Sequence, residues 1–269
     1  MFEFFTYSFI IRAFVVGIFV SLASSLLGVT LVLKKYSMIG DGLSHVGFGA
    51  MTVALALNLA PMAIAVPVMM ISAYLLLRLR ENSRINSDAA IAIISSSSIA
   101  VGITAASLSG GMNTDVYGYM FGSILTVSRF DTALAIILGT LVTLMFVLFY
   151  NRIFAVTFDE NFASATGTKT GALNIMLAML CAAVIVVGMR VMGTMLISGL
   201  IIFPAITAMR LFDSFKKVTV AAAVISVLAF LTGMIASCAF AYIPAGAGIV
   251  LANLLFLAIS TVWGKVRRN

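Results

Sequence analysis

The sequence predicts an all-α polytopic membrane protein with about nine transmembrane helices. The 269-residue chain is 62% hydrophobic and only 9% charged, whereas soluble domains carry about 25% charged residues. Its few charges separate long apolar stretches, each long enough for a span of about 20 residues. The polar interruptions are too short to bury a core of their own. The whole chain, 1–269, is therefore interpreted as one transmembrane domain.

The uncharged stretches define the helices. The stretch 46–77 is interrupted by Asn58 and Pro61, so it contains the end of one span and most of the next. The stretch 218–264 is too long for one helix and breaks at the Pro- and Gly-rich turn 242–248. If 170–209 includes a re-entrant or broken helix, the count falls to eight. The nine predicted helices lie near 10–33, 37–57, 61–79, 88–108, 130–151, 171–189, 191–210, 218–241 and 247–264.

The net charge of +7 reflects orientation in the membrane rather than nucleic-acid binding. With the N-terminus outside, only Arg12, Arg129 and Arg190 of the sixteen basic residues fall away from the cytoplasmic side. This is the positive-inside bias, and it places the C-terminus in the cytoplasm. The thirteen basic residues predicted to be cytoplasmic are Lys34, Lys35, Arg78, Arg80, Arg84, Arg152, Lys169, Arg210, Lys216, Lys217, Lys265, Arg267 and Arg268.

Asp41 and His45 form the candidate metal site. They lie four residues apart, so one face of a helix carries both side chains. His45 is the only histidine of the chain. Ionisable residues within hydrocarbon are costly and usually functional, and a carboxylate with an imidazole suits zinc or manganese. Two ligands are too few for a structural zinc site but suit an ion in transit. The alternative is a buried hydrogen-bonded pair that fixes helix packing.

The segment 158–167 is the second candidate site. Asp159 and Glu160 suit the positive end of a helix dipole, and Gly167 suits the position just after a helix. The pattern predicts a short amphipathic helix beneath the membrane, and the alternative is a surface connector packed on its own helix ends. One stripe of this helix carries Phe158, Phe162 and Ala165.

The chain has no phosphate-binding G-x-x-x-x-G-K-[ST] loop and no H-E-x-x-H or G-x-S-x-G motif. It is therefore predicted not to be an enzyme, and any ATP hydrolysis must come from a separate subunit. Two other classes stay open. One is an ion-coupled secondary transporter of divalent cations in which Asp41 relays protons, although paired broken helices are not evident. The other is an intramembrane enzyme, for which a second catalytic aspartate is missing.

Several motifs, in order along the chain, resemble permease subunits of zinc and manganese ABC importers, the ABC-3 metal-permease family. The segment 40–45, Gly-Asp-Gly-Leu-Ser-His, is similar to the family's G-D-A-L-S-H-A signature, with Gly42 in place of the usual alanine. The extra glycines raise the question of whether this helix is regular. The other matching segments are 87–91, 121–125, 158–167, 190–193 through 202–205, and 243–246.

The resemblance implies a type II ABC-importer-like permease in a prokaryotic cell membrane. It implies a second permease copy, two cytoplasmic ATPase subunits and an extracytoplasmic metal-binding protein, with no permanently bound cofactor. Asp41 and His45 match the family's intramembrane metal residues. The segment 121–125 is more similar to zinc-type than to manganese-type members. The family's cytoplasmic coupling helix, which docks on the ATPase, matches 158–167 and includes Phe158, Asp159, Glu160, Phe162, Ala163 and Gly167.

Overall fold

The computed structural model describes residues 7–82, 87–111, 114–123, 127–240 and 242–268. Arg84, Ile124 and Leu125 lie outside these ranges. Throughout the described ranges the regular structure is α-helical, as the composition predicts. The helices are α1 Ser8–Leu33, α2 Ser37–Ala56, α3 Pro61–Asn82, α4 Ser87–Leu108, α5 Thr114–Phe121, α6 Arg129–Leu148, α7 Tyr150–Phe158, α8 Glu160–Ala165, α9 Thr170–Met192, α10 Thr194–Leu211, α11 Phe215–Ala239 and α12 Ala245–Arg268.

Each of the nine predicted helices has a counterpart, with ends that differ by a few residues. Seven of them (α1, α3, α4, α6, α9, α11 and α12) are long and apolar enough to cross a membrane. The apolar part of α10, Leu196–Leu211, is shorter, and α2 carries two ionisable residues. The short helices α5 and α7 were not predicted from the sequence. The number of membrane crossings stays a prediction.

Basic side chains mark one end of the bundle. Five elements meet there: the C-terminus of α1, the short helices α7 and α8, and the N-termini of α9 and α11. Phe215, at the start of α11, packs against Phe146, Tyr150, Phe154 and Phe158 of α6 and α7. We call this the basic end, and its described side chains include Lys34, Arg152, Lys169, Arg210, Lys216 and Lys217.

At the opposite end, three of the recognised sequence motifs meet. Gly193 separates α9 from α10 at a φ of +85°, a left-handed conformation that favours glycine. A Cβ on Gly193 would overlap the backbone of Phe121 and Gly122, and one on Gly246 would overlap the carbonyl of Met192. The predicted break near Arg190 therefore occurs three residues later, where the backbone requires glycine.

The glycines of α2 fit close contacts and do not interrupt the helix. α2 is continuous from Ser37 to Ala56, which answers the question that these glycines raised. A Cβ on Gly49 would lie 2.5 Å from the backbone oxygen of Ser98, so α2 and α4 approach more closely than any larger residue allows. A Cβ on each of three other α2 glycines would also lie within 3.3 Å of a neighbouring helix. The pairs are Gly40 with Ile201 of α10, Gly42 with Ile91 of α4, and Gly47 with Met69 of α3.

Candidate functional site

Asp41 and His45 lie near mid-depth in the helical bundle. Gly40, next to Asp41, faces Ile201 of α10. Ile201 is seven residues from the start of α10 and ten from its end, or about 10 and 15 Å at 1.5 Å per residue. Gly47, beyond His45, faces Met189 near the end of α9. The pair therefore lies about 15 Å from the α10 terminus at the basic end, although α2 itself starts only three residues after Lys34.

The structure brings the two predicted metal residues together on one face of α2. The His45 Nε2 atom lies 3.7 Å from Asp41 Oδ2, too far for a hydrogen bond. The side chains of His45 and Asp41 remain 17% and 34% exposed, although they lie at mid-depth. The part of this face around Asp41 and His45 is therefore accessible in the single chain, and both groups can reach a third species.

One chain supplies an incomplete ligand set. Among the residues that the structure describes, there is no cluster of three or more His, Cys, Asp or Glu side chains that could hold a metal ion. The hydroxyl of Ser44, between the two residues, donates to the Asp41 carbonyl at 2.8 Å. The structure therefore places two side chains of metal-ligand type next to each other on α2.

At the basic end, the predicted coupling segment forms a short capped helix of six residues. The Asp159 carboxylate accepts from the Phe162 backbone N–H at 2.9 Å and caps α8, and Gly167 follows the helix with a φ of +85°. The helical part is shorter than predicted, because Asp159 is its N-cap and Phe158 belongs to α7. Ala163 is fully buried against the bundle.

The aromatic side chains of this segment point outward. Phe158 is 59% exposed and Phe162 is 64% exposed, and Ala165 is also exposed. Phe154 of α7, 43% exposed, packs against Phe158 with the rings tilted and their centroids 4.9 Å apart. We call Phe154, Phe158 and Phe162 the aromatic patch. It offers apolar area to another molecule at the basic end.

Glu160 bonds to the bundle, although its side chain remains 40% exposed. Its Oε2 accepts from Lys34 Nζ at 3.1 Å and its Oε1 accepts from Asn174 Nδ2 at 2.7 Å. Sequence reasoning missed both partners, because Lys34 was interpreted only as an orientation signal. The detectable signal was Asn174, an amide one turn inside an otherwise apolar span.

The opposite end carries a buried ion pair that sequence reasoning also missed. Arg190 donates to Asp131 at 2.6 Å, and Asp131 is 2% exposed. The second oxygen of Asp131 accepts from the backbone N–H and hydroxyl of Ser128. Arg190 is one of the three basic residues that depart from the charge bias, and its pairing with Asp131 explains how a cation is accommodated there.

Comparison with known proteins identifies the family. The family model described as "ABC 3 transport family" matches residues 6–263. The chain belongs to the ABC 3 transport family. This result confirms the recognition made from the sequence motifs. It also agrees with the all-helical membrane fold.

Relatives within the ABC 3 transport family span nearly the same length. The chain is 29% identical over 252 residues to the "Manganese transport system membrane protein MntC" of Halalkalibacterium halodurans, covering 93% of this chain and 86% of that one. It is 27% identical over 249 residues to the "High-affinity zinc uptake system membrane protein ZnuB" of Haemophilus influenzae, covering 92% and 95%.

Solved structures share the fold. "PsaBC from Streptococcus pneumoniae in complex with Fab" matches with a TM-score of 0.84 and 29% identity, covering 94% of this chain and 91% of that one. "An inward-facing conformation of a putative metal-chelate type ABC transporter" matches with a TM-score of 0.72 and 14% identity, covering 94% and 85%. At 14% identity, the second match concerns the fold alone.

Proposed function

We propose that this ABC 3 family member is the membrane permease subunit of an ATP-driven importer for a divalent transition metal. Zinc is the favoured substrate and manganese the next. The observation that carries the proposal is the Asp41–His45 pair, two adjacent ligand side chains at mid-depth in an apolar bundle. The relatives named as zinc and manganese transport proteins support the same substrate class.

The chemistry of the pair supports transport rather than permanent binding. Imidazole and carboxylate bind both zinc and manganese, and the general affinity order of divalent metals favours zinc. A permanently held structural zinc ion needs four ligands. With two ligands from this chain, an arriving ion is held weakly enough to leave again. The transported ion is the substrate, and no resident cofactor is proposed.

The exposure of the pair supports a homodimer. A partly exposed carboxylate and imidazole at mid-depth would be costly against lipid. A second copy related by a two-fold axis could cover this face and bring a second Asp41–His45 pair close to the first. The metal path would then run between the two copies. This arrangement stays a proposal, as does the positive-inside orientation in a prokaryotic cell membrane with the C-terminus in the cytoplasm.

The aromatic patch supports a coupling role for 158–167. In this proposal, Phe158 and Phe162 enter an apolar groove on a cytoplasmic ATPase subunit. Each of the two permease copies contacts one such subunit. Asp159 and Gly167 set the start and end of the docking helix, and Ala163 seats it on the bundle. Metal reaches the opposite end of the permease from an extracytoplasmic metal-binding protein, which contributes to selectivity.

The proposal is tested with proteoliposomes that contain this chain and its ATPase, supplied with the metal-binding protein and radioactive zinc. We expect accumulation that requires ATP and is reduced by competing zinc more than by manganese. A catalytically inactive ATPase is the control. Uptake by the permease alone, driven by a proton gradient, would instead establish the secondary-transporter alternative.

A further inference from the structure

Three polar side chains from distant parts of the chain form a closed ring at the basic end. Lys34 Nζ donates to Glu160 Oε2 at 3.1 Å and to Asn174 Oδ1 at 2.6 Å. The Asn174 amide nitrogen donates to Glu160 Oε1 at 2.7 Å. The ring therefore joins the end of α1, the start of α8 and the first turns of α9. We call these three residues the polar triad.

Two members of the polar triad are buried and the third is partly exposed. The Lys34 side chain is 7% exposed and the Glu160 side chain is 40% exposed, while Asn174 is 4% exposed. A buried ammonium group needs an opposite charge and hydrogen-bond acceptors, and removing one partner leaves the other uncompensated. Asn174 serves both neighbours, because its oxygen accepts from the lysine and its nitrogen donates to the glutamate. The position of α8 is thus tied to the position of Lys34.

Lys34 in turn sets the start of the helix that carries the metal ligands. It is the C-cap of α1, and only Lys35 and Tyr36 separate it from α2. Lys35 has a φ of +59°, and the Tyr36 N–H donates to the Leu31 carbonyl at 2.7 Å. This hydrogen-bonded turn keeps Lys34 close to the start of α2. Asp41 follows Lys34 by seven residues.

We propose that the polar triad is the mechanical link through which the ATPase-facing helix α8 moves α2 and its metal ligands. This inference rests on the proposed function and adds a specific route. In it, α8 has two contacts: Phe162, with the rest of the aromatic patch on α7, meets the ATPase, while Glu160 transmits motion to Lys34. Glu160 is therefore a positioning residue and not a docking residue, and the same holds for Lys34 and Asn174.

The link is tested in the permease–ATPase complex with Glu160→Gln, Lys34→Gln and the charge reversal Lys34→Glu with Glu160→Lys. Three quantities are measured: the ATPase that copurifies, the rate of ATP hydrolysis, and the metal transported per ATP hydrolysed. We expect each single variant to retain its ATPase and hydrolyse ATP, while metal transported per ATP falls at least tenfold. Lys216→Gln, which changes an exposed lysine at the same end, should leave this ratio unchanged.

The charge reversal gives the sharpest readout. Rotation of the Asn174 amide by half a turn exchanges its donor and acceptor, so it can serve the reversed pair. The reversal should therefore recover much of the ratio that each single variant loses. A fall in membrane abundance with an unchanged ratio in the surviving protein would make the triad a structural tie only and overturn the link. Loss of the copurifying ATPase in Glu160→Gln would make Glu160 a docking residue and overturn it as well.

The two proposals fail separately. If the wild-type complex moves no metal with ATP, the proposed function is wrong. If the wild type transports metal and the triad variants keep its ratio of metal to ATP, only the link is wrong.

Discussion

The Asp41–His45 pair allows a prediction in which a metal-binding role and a packing role have opposite consequences. The perturbations are Asp41→Asn, His45→Ala and the double variant. Because the two side chains are 3.7 Å apart and partly exposed, no hydrogen bond between them is lost in any variant. For such pairs the expected loss of folding free energy is about 1 kcal/mol or less. Membrane abundance should therefore change little.

The expected loss of transport is much larger. Removing a group that merely supports a metal ligand lowers affinity or activity by about 10–100-fold, so loss of a ligand should lower uptake by at least that factor. The double variant should be no worse than either single variant, because one shared site is lost in each case and the effects cannot add. A packing pair behaves differently: single variants lower abundance, and removing both partners partly restores it.

The assay is uptake of radioactive zinc and manganese, normalised to the amount of membrane-inserted permease. Thr52→Val is a matched control, because Thr52 is buried farther along the same face of α2 and its hydroxyl bonds only locally, to the Phe48 carbonyl. It should leave uptake per molecule nearly unchanged. Normal uptake per molecule in Asp41→Asn or His45→Ala would remove that residue from the metal path.

Three further predictions concern coupling, topology and packing. The Phe162→Asp permease should insert normally but lose the copurifying ATPase, because the substitution places a charge in an apolar contact. Phe162→Leu is the control. If the Asp variant retains all of its ATPase, 158–167 is only a connector. In a cysteine-free background, Ser164→Cys should resist an impermeant thiol reagent in intact cells while Ser109→Cys at the opposite end reacts; strong labelling of Ser164→Cys would refute the orientation. Gly49→Val should lower the free energy of unfolding of the purified permease by about 1–3 kcal/mol or more, because the valine side chain would overlap the Ser98 backbone. The measurement is the melting temperature, and an unchanged value would contradict this close packing.

Much of the fold could be predicted because helix spans are a local property. The transfer of an apolar stretch into hydrocarbon depends on its own length and composition, so both ends of α1 and α4 were predicted to within two residues. Boundaries set by special backbone geometry were less accurate. The break at Gly193 depends on contacts with Phe121 and Gly122, which lie about seventy residues earlier in the sequence.

The candidate site was predicted in part for the same reason. Asp41 and His45 share one helix, so their spacing alone predicted that their side chains would be neighbours. The segment 158–167 was found from its local pattern, but the contact of Glu160 with the bundle was not. The sequence does not show whether Phe162 or Glu160 contacts the bundle, because a helix this short has too little hydrophobic periodicity.

The motifs of the sequence were enough to recognise a membrane permease of the ABC 3 transport family and to place its ionisable residues along the helices. Which of these residues contact one another became visible only in the folded chain. Lys34 bonds Glu160 across 126 positions and Asn174 across 140, and Arg190 bonds Asp131 across 59. The physical reason is that insertion into a bilayer depends on each segment separately, whereas a buried charge finds its partner only when the helices pack.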